Sequence, residues 1–165
     1  MKIRPSIERL REVFSVEADG ALRWKIKTCR KVVAGAIAGS LTAKGYVCVR
    51  LDGCLILSHR VVFAITRGRW PSGELDHANI IRFDNRPCNL REASRTENNH
   101  NKTKNKNNTS GFKGASWNKA KHKWDAEIGA HGKRIKLGRF NTAEAAGEAY
   151  AAAALLHHGA YARII

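Results

Sequence analysis

Glu74-Leu75-Asp76-His77, then Asp84-Asn85-Arg86-Pro87-Cys88-Asn89-Leu90-Arg91, then Ser94-Arg95-Thr96-Glu97-Asn98, is the stretch whose reading decides the fold. Leu75 and the residues beside it suit a short strand that ends in Asp76 and His77. Asn89-Leu90 opens a second extended segment. Ser94 and Glu97 stand in the pattern of a capping box, so a helix is expected to begin there with Asn98 in its first turn. Strand, strand and helix, with polar side chains facing one another, form a compact place to hold one divalent ion against a phosphate. The residue types suit phosphodiester cleavage, which needs a base for water, a cation for the phosphate and stabilisation of the leaving oxygen. A neutral histidine supplies the base near neutral pH. A carboxylate and an amide oxygen are hard ligands of the kind magnesium or manganese takes.

Upstream, Ile7, Leu10 and either Val13 or Phe14 recur at helical spacing after Pro5, which predicts a short amphipathic helix. Asp19-Gly20 lies between Phe14-Ser15-Val16 and Leu22-Arg23-Trp24 as a hairpin signature. Asp52-Gly53, between Tyr46–Leu51 and Cys54–Ser58, is a second. Residues 34–40 are small and Gly-rich and read as a loop. His59–Arg67 reads as one short helix stopped by Gly68. His59, at the start of that helix, reads as structural and stays outside the candidate site. His100 reads as a solvated helix residue. Asn85 and Arg86 read as residues that hold their loop, with Arg86 the weaker candidate for a phosphate contact.

Downstream, residues 99–110 are almost all Asn, Lys, Thr and Ser, a composition that cannot bury a core and reads as a basic linker. Beyond it, Trp124, Ala126 and Ile128 alternate with Lys123, Asp125 and Glu127, while Ile135 and Leu137 oppose Arg134 and Lys136. That alternation predicts a three-stranded antiparallel sheet with one apolar and one largely basic face. A helix capped by Asn141 or Thr142 is expected to lie on the apolar face through Ala146, Ala149, Ala153 and Leu156, and to end at Gly159. Trp124, Phe140 and Tyr150 read as core. The expected organisation is therefore α+β: residues 1–98 as one module, 99–110 as linker and 111–165 as a sheet packed on one helix.

The whole chain of 165 residues carries 30 Lys and Arg against 14 Asp and Glu, a net charge of +16. Such an excess points to a polyanionic partner, and nucleic acid fits best. No stretch has the length of a membrane-spanning helix. Met1 to Phe14 mixes charges into its apolar residues and lacks the unbroken apolar core of a secretion signal. An intracellular protein without a membrane partner, acting as a monomer, is the expectation. Cys29, Cys48, Cys54 and Cys88 make no C-x-x-C pair, so reduced thiols rather than a structural zinc site are expected.

The stretch around Asp76-His77, with Asn89-Leu90-Arg91 twelve residues after the histidine and Asn98 nine residues further on, resembles the HNH (ββα-metal) endonucleases. The similarity is greatest to the homing-type members found in phages. Ser58-His59-Arg60-Val61 and Gly68-x-Trp70-Pro71 extend it over most of residues 15–101. The resemblance implies a metal-dependent DNA endonuclease with His77 as general base. It also implies Asp76 and Asn98 as ligands of Mg2+ or Mn2+, with Asn89 bracing the loop and orienting His77. The family commonly has Gly-Asp where this chain has Ile80-Ile81; a β-branched residue resists the positive φ of a tight turn, so the loop is expected to take another path.

The segment from Gly111 onward resembles the Apetala-type, ethylene-response-factor DNA-binding domain through F-K-G-A-S-W, K-W-x-A-E-I, R-I-K-L-G-x-F and T-A-E-A-A. This resemblance implies Lys113, Ser116, Lys123, Glu127, Arg134, Lys136 and Arg139 as positions facing double-stranded DNA, with Trp117 stacking or touching the backbone. Two other classes stay open. One is a DNA-binding regulator with an inactive nuclease unit, which Ile80-Ile81 would explain. The other is an RNA-binding accessory protein, which neither the sheet face nor the aromatic spacing favours.

Overall fold

The computed structural model describes residues 4–164; Met1 to Ile3 of the N-terminal stretch, and Ile165, lie outside the described residues. The fold is α+β, with small antiparallel sheets and four α-helices among the described residues. None of those helices is long and apolar enough to cross a membrane. The chain divides into two compact units, with the boundary between Ser94 and Arg95.

In the first unit, helix α1 (Ile7–Val13) starts at Ser6, whose side chain accepts from the Arg9 amide, and buries Leu10 and Val13. Strands β1 (Phe14–Val16) and β2 (Leu22–Trp24) pair through the Asp19-Gly20 turn. The stretch expected to be a loop corrects that reading. Ile37–Ala38 forms β3 against β2, and Ser40–Leu41 forms β4 against the next strand. The small residues of this segment bend the chain at Gly39 between the two sheets and do not keep it out of them. Strands β5 (Val47–Leu51) and β6 (Cys54–Leu57) are joined by Asp52 and Gly53, both at positive φ, the two-residue hairpin that Asp-Gly favours. Helix α2 (Ser58–Arg67) ends at Gly68 in the left-handed conformation.

One core holds this unit. Leu10, Val13, Phe14, Leu22, Trp24, Val49, Leu51, Val61 and Val62 are buried together, and Leu90 joins them. Leu90 belongs to a two-stranded ribbon of β7 (Glu74–His77) and β8 (Leu90–Ala93), paired Asp76 to Arg91 and His77 to Leu90. The apolar partner of His77 is thus anchored in the main core, which fixes the height of the histidine in the fold. Beside the ribbon, Glu92 holds the segment after α2. It pairs with Arg69 and accepts from the amide and hydroxyl of Ser72.

The second unit opens with α3 (Arg95–His100). Residues 99–110 are tied into it by their own side chains. Lys104 Nζ donates to Gly111 O at 2.7 Å, and Asn108 accepts from the Gly111 amide while donating to Phe112 O. Asn101 is buried. Strands β9 (Ala115–Asn118), β10 (Lys123–Ala130) and β11 (Lys133–Phe140) form an antiparallel sheet in the order β11-β10-β9. Helix α4 (Ala143–His158), capped by Thr142, covers one face of it. Gly114 lets that helix come close: a Cβ there would lie 1.9 Å from the Tyr150 ring.

Two details of this unit depart from simple alternation. The buried side of α4 is Ala143, Ala146, Gly147, Tyr150, Ala153, Ala154 and His158, whereas Leu156 is 80% exposed. The helix is therefore turned away from the phase expected through Leu156, because the bulk of Tyr150 over Gly114 sets the contact. In β11 the register jumps from Gly138 opposite Ala126 to Lys136 opposite Glu127, a β-bulge at Leu137. An extra residue reverses the alternation beyond it. Arg139 thereby shares a face with Lys136 and Arg134, which a regular strand would divide.

Candidate functional site

The loop from Ala78 to Asn89, between β7 and β8, is held by a dense set of side-chain hydrogen bonds alongside backbone ones such as Ala78 N–H to Asn89 O and Ile80 N–H to His77 O. Asn89 accepts from the Asn79 amide at 3.0 Å and donates to Asn79 Oδ1 at 2.9 Å and to Asp84 O at 2.8 Å. Asn79 Nδ2 donates to Asp84 Oδ2 at 2.6 Å, and its Oδ1 accepts from the Ile81 amide. Arg86 closes the loop with a two-pronged contact on Asp84, at 2.8 Å from Nε and 2.6 Å from Nη2. The Arg86 guanidinium holds the Asp84 carboxyl well below the usual carboxylate range.

This network overrides local preference at Ile80, whose φ is 62°. The expectation that Ile80 would send the loop along another path is corrected. A β-branched residue in the left-handed region is strained, yet the bonds of Asn79, Asp84 and Asn89 on both sides fix the backbone there.

His77 and Asp76 stand at the end of β7, each 5% exposed. Asp76 Oδ2 accepts from Arg91 Nε at 2.9 Å and Nη2 at 2.7 Å across the ribbon. The His77 ring meets a different set of groups. Its Nε2 lies 3.2 Å from Asn85 Oδ1. The His59 ring stands edge-on to it, with centroids 5.0 Å apart and planes at 87°, and the Tyr46 ring is 6.1 Å away. The Arg82 guanidinium lies 5.2 Å over Tyr46 and donates to Lys44 O. Burial lowers the His77 pKa, against the opposing pull of Asn85, Asp76 and Asp84. His59 is pushed down to about 3, by burial first and then by His77 and Arg60. Both rings are therefore neutral at neutral pH, and a neutral imidazole is the form able to take a proton.

The structure brings Asp76, His77 and Asn89 into one ribbon and loop. Asn98 lies half-buried on α3 in the second unit. Asn89 braces the loop, but its side-chain bonds go to Asn79 and Asp84; the side chain that meets His77 is Asn85. Sequence reasoning gave Arg91 no role and left His59 aside. The ribbon register that puts Arg91 opposite Asp76 was implicit in the strand assignment. Nothing local signals the His59 contact, which joins residues from separate elements.

Among the described residues no group of three or more His, Cys, Asp or Glu side chains is arranged to hold a metal ion. The Asp76 carboxylate, buried and paired with Arg91, is a hard ligand of the type magnesium takes.

On the second unit, the sheet face away from α4 carries Ser116, Lys123 and Glu127 with Arg134, Lys136 and Arg139. Asp125 and Glu127 share that face. Arg139 Nε donates to Asp125 at 3.1 Å, and Arg134 lies 3.6 Å from Glu127. Lys123 donates to Asn141. The remaining two sequence candidates sit elsewhere. Trp117 pairs with Trp124 on the helix side of the sheet edge, 43% exposed, with ring centroids 5.2 Å apart. Lys113 turns its ammonium to the backbone, donating to His100 O at 2.7 Å and Lys102 O at 2.8 Å at the end of α3. Burial lowers its pKa.

No curated protein and no solved structure matches the chain. Residues 57–100, from the end of β6 through α2, the β7–β8 ribbon and α3, match the family model described as HNH endonuclease, and so support an HNH nuclease module acting on DNA.

Proposed function

We propose that this protein is a metal-dependent endonuclease that hydrolyses phosphodiester bonds of double-stranded DNA, with site preference supplied by its C-terminal sheet. The observation that carries the proposal is a buried neutral histidine, His77, beside a buried carboxylate, Asp76, inside the segment that matches the HNH endonuclease model. His77 takes the proton from a water whose oxygen forms the new bond to phosphorus. The bond from phosphorus to the 3′ oxygen breaks, leaving 5′-phosphate and 3′-hydroxyl ends once the departing oxygen is protonated. Asp76 would hold a magnesium or manganese ion, which when bound would offset negative charge on the phosphate and the departing oxygen; Asn98, the second ligand that the HNH resemblance implies, lies on α3 of the second unit. Arg91 fixes the Asp76 carboxylate on its strand. Asn89, with Asn79 and Asp84, keeps the loop in register with His77.

The sheet acts as an Apetala-type reader. Arg134, Lys136, Arg139 and Lys123 face the duplex, where basic side chains meet phosphates and guanine edges. Asp125 and Glu127 set the orientation of the arginines in advance. The Lys- and Asn-rich residues 99–110 add affinity that falls as salt rises.

The reading of a regulator with an inactive nuclease unit drew on Ile80-Ile81. With Ile80 at the φ a glycine would take, that departure from the family pattern no longer argues for it. Incubation with supercoiled plasmid tests the proposal. Nicked or linear product is expected with magnesium and none with chelator; gel shifts without strand breaks under every metal condition would reject it.

A further inference from the structure

We infer that Asn85 is the positioning residue that sets the tautomer and orientation of His77. The inference rests on His77 being the general base. A neutral imidazole carries its proton on one nitrogen and its lone pair on the other, and only the second can accept the proton of water. The structure sets Asn85 Oδ1 3.2 Å from His77 Nε2. A carbonyl oxygen only accepts, so with Oδ1 facing the ring the contact is a hydrogen bond when the proton is on Nε2. The lone pair then resides on Nδ1, and Nδ1 is the basic atom.

Two features make Asn85 more than an incidental neighbour. It is 4% exposed, so its amide is not averaged among solvent-facing rotamers. Its backbone is also seated against the β1–β2 turn. Gly20, at φ 82°, lies so close that a Cβ there would be 2.2 Å from the Asn85 carbonyl carbon and 2.3 Å from the Arg86 amide nitrogen. On the other side Arg86 is locked to Asp84, and Asp84 to Asn79. The turn carrying Asn85 is thus clamped between the N-terminal hairpin and the loop network. A neutral amide in this place orients the ring without the added basicity a carboxylate would confer.

Long-range proton–nitrogen correlation NMR on the full-length chain, labelled with nitrogen-15, reads the tautomer directly and needs neither DNA nor metal. The His77 signals are assigned by their loss in His77→Gln. The wild-type ring is expected as the Nε2–H tautomer at neutral pH. Asn85→Ala should give a mixture of tautomers and a fall in kcat for plasmid nicking of about 10- to 100-fold, with KM and duplex affinity unchanged. Asn85→Asp, whose carboxylate also only accepts, should restore the Nε2–H tautomer. An Nδ1–H tautomer in the wild type, or an unaltered tautomer in Asn85→Ala, overturns the inference. Absence of plasmid cleavage by the wild type would reject the nuclease reading while leaving the tautomer result to stand or fall by itself.

Discussion

The loop beside His77 and the open face of the C-terminal sheet are both dense in polar side chains, and they use them in opposite ways. In the loop and at the strand end that leads into it, Asp76, His77, Asn85 and Asn89 are all nearly solvent-excluded and bonded to protein partners. On the sheet, Arg134 and Arg139 keep most of their surface in water, and their carboxylate partners are looser. A buried polar group that loses its partner bears the full desolvation penalty, whereas an exposed ion pair is worth little to stability. The first region is organised to hold atoms in place. The second is organised to meet a partner.

Substitutions should therefore divide sharply by region. The largest loss is expected for Gly20→Ala, which drives a Cβ into the Asn85–Arg86 backbone at a positive φ. A cost of about 3 kcal/mol in urea unfolding is expected. Gly129→Ala on the sheet has nothing within 4 Å of the added carbon and should change stability by less than about 0.5 kcal/mol. Similar losses for the two would erase the contrast.

Arg91→Ala comes next. It takes the guanidinium from a carboxylate that is 5% exposed, and should lower stability by about 2 kcal/mol. Arg139→Ala should leave stability within about 0.5 kcal/mol, yet reduce the salt dependence of duplex binding by about one unit of slope. Urea titrations and salt-dependent gel shifts on the same preparations separate these outcomes.

Acid should expose the buried side of the comparison. His59 has its pKa lowered to about 3 in the folded chain, from an ordinary value near 6.5. Between those values the unfolded chain binds the proton and the folded chain does not. Its contribution is thus complete above pH 6.5 and is lost as pH falls toward 3. The slope is at most about 1.4 kcal/mol per pH unit. His59→Leu should flatten that slope in urea titrations repeated at several pH values.

The smallest effect is a gain. Ile80→Asn relieves a β-branched side chain at φ 62° and should raise stability by about 1 kcal/mol, read as a higher Tm.

Much of this architecture was legible in the residues, and the exceptions share a cause. The Asp-Gly hairpins, the β7–β8 ribbon, the capping of α4 by Thr142 and the three-stranded sheet follow from turn chemistry and local periodicity. What escaped was decided by contacts distant in sequence. Strands β3 and β4 form because their neighbours offer edges, although the local sequence suggests a loop. Ile80 takes its φ from bonds made by Asn79, Asp84 and Asn89. Leu156 is exposed because Tyr150 over Gly114 sets the phase of α4. The Leu137 bulge cannot be seen in alternation alone, although it puts Arg139 on the basic face. At the site, the HNH resemblance singled out Asp76, His77 and Asn89, and the structure places these three in one ribbon and loop. His59 and the contact of Asn85 with His77 emerge only once separate elements are packed.

Cleavage and binding compared in one protein preparation test the account most directly. Wild-type chain and His77→Ala are incubated with supercoiled plasmid and magnesium, and their affinities for duplex DNA are measured in parallel. The account predicts strand breaks from the wild type alone, with equal duplex affinity for both. Undiminished cutting by His77→Ala would contradict it.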